Sequence, residues 1–188
     1  MVWKTLCRRT RGLDKNGFSL VELLVIVSII ILLTAISVPI INNFAPSYNA
    51  KQAASNIVSQ MQLARVHAIK QRVTTVVAFY PEGFTPVAQA NSFLIYEDTN
   101  NNWVQDPGEN ILLSRIYMPA KVNLLSATFT SNGSGESTET TSCGFDSQGV
   151  AARTGATYVI GNLALKNAKN QTRTISLNAS GKTKISMP

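Results

Sequence analysis

Apolar residues follow three successive rhythms along this chain. From residue 23 to residue 41 they run almost unbroken, 19 positions without a charge, and a helix of about 17–25 such residues spans a bilayer. They then thin to every third or fourth position, at Ala50, Ala53, Ala54, Ile57, Val58, Met61, Ala64, Ala68 and Ile69. Lys51, Gln52, Ser55, Gln60, Gln62 and Lys70 fill the other side, which is the pattern of one apolar stripe on a helix. A single helix from about residue 19 to residue 72 is predicted, loosened at Pro39 and Pro46, because proline removes a backbone donor and crowds the turn before it.

From Val73 the rhythm becomes that of strands. Residues 73–80, 92–97, 111–118, 121–130 and 156–167 are rich in β-branched and aromatic side chains, and 172–186 reads as a pair of strands turning at "NASG". Pro81, Gly83, Pro86, Pro107, Gly108 and Pro119 punctuate them, while "SNGSGESTETTS" (131–142) has the composition of a mobile polar loop. No segment repeats at the period of a solenoid or propeller. The fold class predicted is α+β, with a long kinked N-terminal helix packed on an antiparallel β-sheet body. The predicted organisation is a basic leader over 1–17, a transmembrane helix over 18–44 and a body over 45–188. That body divides into helix (45–72) and β-rich (73–188) parts.

Charge sharpens the first boundary. Of the net +7, four charges belong to residues 1–17, where Lys4, Arg8, Arg9, Arg11 and Lys15 face Asp14 alone. Basic residues before a span keep that end cytoplasmic, so the body is expected on the far side of the membrane. A secretory signal places its small-residue cleavage site after the apolar run. Here the small, turn-prone pair Asn16-Gly17 comes before it. Cys7 lies in the leader and Cys143 far downstream, so loss of the leader leaves Cys143 as a single thiol, expected to be buried and inert.

Catalysis finds no support in the residue inventory. One histidine, one cysteine beyond the leader and no paired carboxylates supply no nucleophile–base pair. Glycine-rich phosphate loops and zinc spacings are missing too, so no enzyme and no cofactor are predicted. His67 lies beside the helical stripe, where a packed or hydrogen-bonded structural role is expected.

Glu22 remains, a carboxylate at the entrance of the span, where an ionisable group is costly and therefore a functional hypothesis. "GFSLVE" (17–22), followed by the apolar run, resembles the type III signal of type IV pilins and type II secretion pseudopilins. The resemblance implies cleavage by prepilin peptidase between Gly17 and Phe18, N-methylation of Phe18, and a need for Glu22 in assembly. It also implies an inner-membrane protein with its N-terminus cytoplasmic and its body periplasmic. The partners it implies are other pilins or pseudopilins and an assembly platform. "QLARVHAI" (62–69), then a strand and an acidic turn, is similar to the type II secretion protein H and fimbrial protein T family of minor subunits. Two machines stay open, a type IV pilus and a secretion pseudopilus that binds no DNA. A membrane-tethered enzyme is the remaining alternative.

Two weaker constellations complete the reading. Asp98, Asn100, Asn102, Asp106 and Glu109 stand at the oxygen-ligand spacing of a calcium loop, although Trp103 occupies the place of the usual glycine and should resist the turn. A hairpin favouring Asx turns explains the same spacing. At the C-terminal end no acid follows Asp146, while Arg173, Lys182 and Lys184 suggest a phosphate-binding face for DNA. The resemblance adds that some fimbrial protein T relatives bind DNA through a Gly-Arg-x-Arg ending, here Gly181-Lys182-Thr183-Lys184. Lysine meets a phosphate as a point charge, so contact through this face would be weak and salt-dependent.

Overall fold

The computed structural model describes residues 17–133, 138–151 and 156–186. They fall into two parts, one ending at Asn42 and the other beginning at Asn43. A single helix, α1 (Leu20–Gln71), contributes to both and runs on past Pro39 and Pro46. It stops where Arg72 turns left-handed at φ 55°, the conformation that ends a helix.

In the first part, the 18 residues Leu20–Ser37 have a mean hydropathy of 2.8 and none is buried. The hydroxyls of Ser28, Thr34 and Ser37 donate to carbonyls three or four residues back. Such back-bonding leaves no side-chain donor to be satisfied by water, which suits hydrocarbon.

The second part is an α+β body of two antiparallel sheets. The first has the order β3-β2-β1-β6, from β1 (Thr74–Tyr80), β2 (Ser92–Asp98), β3 (Ile111–Tyr117) and β6 (Ser142–Phe145). The second has the order β5-β4-β7-β8-β9, from β4 (Val122–Gly133), β5 (Thr138–Thr140), β7 (Ala156–Asn167), β8 (Thr172–Leu177) and β9 (Thr183–Ser186). Part of the loop expected over 131–142 is therefore strand, since β4 continues to Gly133 and β5 follows. Residues 134–137 lie outside the described residues. Cross-strand pairing of Ser131 with Thr138 explains the difference, because a ladder can recruit polar residues whose composition alone reads as coil.

Most of the helical stripe is buried: Ala50, Ala53, Ala54, Ile57, Met61, Ala64 and Ala68 are in the core, and the five alanines among them let the helix lie close to its neighbours. Val58 is only partly buried, and Ile69, also expected in the stripe, is exposed, since it sits at the margin of the buried face. Phe79 joins the two sheets, with ring centroids 6.0 Å from Phe93 and 5.7 Å from Phe129. Five successive residues of β1, Thr75 to Phe79, are buried, so both faces of that strand are covered. Trp103 contributes to the cover, since a Cβ added to Gly144 would meet its ring at 2.9 Å and Val76 at 3.3 Å.

Candidate functional site

Gly17 and Phe18 precede α1, and Phe18 is exposed. The first helical turn is closed by the Leu23 amide donating to the Ser19 carbonyl at 3.1 Å, and it holds Glu22, also exposed. A carboxylate in the first turn lies beside the unsatisfied amides and partial positive charge of a helix N-terminus, a favourable place for an anion. Glu22 is the only charged residue between Leu20 and Ser37. The arrangement offers a single exposed anion at the start of an apolar helix.

The Asp98–Glu109 oxygens turn inward to the loop's own donors. Asp98 is buried, and its two carboxylate oxygens accept the amides of Asn102 (3.2 Å) and Trp103 (2.9 Å). The side-chain amides of Asn100 and Asn102 donate to one oxygen of Asp106, at 2.8 and 2.7 Å. Glu109 accepts from the amides of Thr99 and Asp106. Among the described residues no group of three or more His, Cys, Asp or Glu side chains is placed to hold a metal ion. Trp103 does take the left-handed conformation, φ 65°, that it was expected to resist. Its burial over Gly144, together with the Asp98 hydrogen bond, holds it there.

The basic end divides in two. On β8, Ile175 and Leu177 are buried, and Arg173 shares their side of the strand by period-two alternation. Lys184 of β9 pairs with Ser176, so it projects to the opposite face. Lys182 lies in the turn that closes the hairpin, not on the strand. Its amide donates to the Asn178 side-chain oxygen, and the Asn178 amide donates to its carbonyl. Lys166 of β7, opposite Thr172, belongs to the same outer face as Lys184, but near the other end of β8. The structure thus places Lys166 and Lys184 apart on one face and Arg173 on the other.

Other residues settle into structural roles. His67 Nε2 is 3.3 Å from Glu97 and Nδ1 is 3.4 Å from the Thr75 hydroxyl, tying α1 to β1 and β2. Cys143 is wholly buried on β6, and that burial pushes its thiol far above the ordinary range. Sequence reasoning missed a notch in which Arg65 sits beside two glycines. A Cβ on Gly149 would come within 2.6 Å of Ile69 and 3.2 Å of Arg65, and one on Gly181 within 2.8 Å of the Gly149 carbonyl and 3.3 Å of Arg65. The only sequence signal was the isolated glycine in "SGKTK", read above as part of a basic ending.

Comparison with known proteins follows the same lines. The chain is similar to two structures of the minor pseudopilin EpsH from the type II secretion system of Vibrio cholerae. One has 14% identity and a TM-score of 0.47, covering 74% of this chain and 98% of that one; the other has 12% and 0.49, covering 74% and 94%. It is also similar to the type IV minor pilin FimU of Pseudomonas aeruginosa, with 12% identity and a TM-score of 0.43, covering 76% of this chain and 92% of that one. Likenesses at this level add no weight of their own. Comparison with curated proteins finds no match. Residues 53–181, well over half the chain, match the family model described as Type II transport protein GspH. The chain therefore belongs to the GspH family, whose members are pilin-like structural subunits and not enzymes.

Proposed function

We propose that prepilin peptidase cuts this chain between Gly17 and Phe18 and that Phe18 is then N-methylated. The mature subunit waits in the inner membrane, N-terminus cytoplasmic and body periplasmic, until an assembly platform draws it into a filament with other pilins or pseudopilins. The observation that carries this reading is the unburied apolar helix Leu20–Ser37 with Glu22 in its first turn. Cleavage before Phe18 creates an α-amino cation four residues from that carboxylate, and N-methylation keeps the amine charged. In a filament the Glu22 of one subunit pairs with the Phe18 amine of its neighbour. A buried pair adds little net stability, but a misplaced subunit leaves a charge unpaired, so the pair penalises wrong registers.

Glu22→Ala tests the reading. The variant should be processed and inserted, because losing a charge eases insertion, and should be absent from sheared filaments. Normal incorporation would defeat the proposal. Which machine uses the subunit is decided by deletion: lost exoprotein release with intact twitching assigns a secretion pseudopilus, and the reverse assigns a pilus.

A second reading, contact with DNA, is favoured by the outer lysines of the second sheet and belongs with the pilus. Scattered lysines without arginine forks predict weak, sequence-independent retention that high salt abolishes. No gel retardation even at low salt would remove it.

A further inference from the structure

The body carries an apolar depression of about 530 Å³ between the outer flank of α1 and Leu112 of β3. Its α1 wall is a stripe of Ser59, Gln62, Leu63, Val66 and Lys70, spaced three and four residues apart over about three turns. Leu63 and Val66 are 50% and 51% exposed, whereas Lys51, Gln52, Ser55 and Asn56, earlier on the outer side, are all polar. The core does not require these two residues, since Met61, Ala64 and Ala68 already supply the buried face at this level. Exposed apolar side chains gathered around a depression mark a place where something docks.

The shape and charge of the depression restrict the occupant. β3 is the free edge of its sheet, but its pairing with β2 shifts register twice, between Phe93 and Ile95 and again between Ile95 and Tyr96. An edge bulged in this way resists strand addition. A helix laid against the α1 stripe fits instead, with side chains three and four apart seated between Leu63, Val66 and Leu112. The titratable groups in the lining are His67 and Lys70, with no carboxylate among them. Glu97, from β2, is occupied by His67. The lining holds no acid and the body half of α1 none at all, so the same face of a second copy would offer Lys70 no carboxylate. An interface that leaves a lysine without a counter-charge disfavours that partner. From this we infer that the depression docks an amphipathic helix of a different protein, bearing a carboxylate placed to meet Lys70. The inference goes beyond subunit assembly through the N-terminal helix and holds for either machine.

The test uses the full chain in nanodiscs of zwitterionic phosphatidylcholine. The probes are a fluorescent model helix with leucines spaced three and four apart flanked by glutamates, and a twin with lysines in place of the glutamates. Fluorescence anisotropy should show the acidic helix binding at least about tenfold more tightly than its twin, an electrostatic preference, and Lys70→Glu should reverse the order. Leu63→Ser combined with Val66→Ser should abolish binding of both while leaving the circular dichroism unchanged, because both side chains are half exposed in the folded body. Equal binding of the twins, or no binding of the acidic helix, overturns the proposal. So does disulfide dimerisation through Val66→Cys in place of peptide binding, which would make a second copy the occupant.

Discussion

Gly181 and Asp98 carry more of the body's structure than their size suggests. Gly181 has φ 75°, a conformation that strains any side chain, and an added methyl would press on the Gly149 carbonyl at 2.8 Å. Gly181→Ala should therefore lose about 1–3 kcal/mol, the usual cost of a strained backbone, read as a lower urea midpoint by circular dichroism. An unchanged midpoint would mean that the notch beside Arg65 yields freely. Asp98→Ala removes an acceptor of the buried Trp103 amide and one of the two acceptors of the Asn102 amide, a loss of about 1–3 kcal/mol. Its emission should shift to the red as Trp103 loosens, and emission like that of the parent would contradict the part given to Asp98. The oxygen spacing of this loop was legible in the sequence. Which amides the oxygens accept from was not, because alternating Asp and Asn residues can close several different Asx turns.

Among the elements, the helix and the strands rich in β-branched residues were legible, since burial enforces their rhythm. The predicted strand over 156–167 coincides with β7, and the helix was placed within a residue of its end. β5 and β6 were not foreseen. β6 is Ser-Cys-Gly-Phe, whose strand state comes from pairing with Thr75 to Ala78 of β1 and not from its own propensity. The basic hairpin was legible as charge but not as a face, because the sequence did not show that the turn would reach Lys182. If DNA is held by the outer face, Lys184→Glu should weaken low-salt retention at least about tenfold, by turning a phosphate contact into repulsion. Arg173→Glu, on the other side, should change it less. Equal loss from both variants in a gel shift would refute the division.

For the whole molecule, stability should depend on alkaline pH through two buried groups. Burial raises the Cys143 thiol, and burial followed by the charge of Asp98 raises the Tyr96 phenol, from ordinary values of 9.0 and 10.0 to beyond the usual alkaline range. Above those ordinary values the unfolded chain releases protons that the folded one keeps. Stability should thus be full below about pH 9 and fall as pH rises through 9 and 10. Urea midpoints that stay flat to pH 11 would contradict this. The apolar half of α1 was the most legible of all, because an unbroken run of uncharged apolar residues is a linear signal. The molecule's partners leave no such signal, since docking surfaces are assembled from residues distant in sequence, as Val66 and Leu112 are.

The central claim is that the apolar helix is a processed assembly element and not a plain anchor. Intact-mass and N-terminal analysis of the protein recovered from its own membranes tests it most directly. The prediction is a chain beginning at Phe18 with one added methyl group and Glu22 intact. A chain that keeps residues 1–17, or one cut after the apolar run, would contradict it.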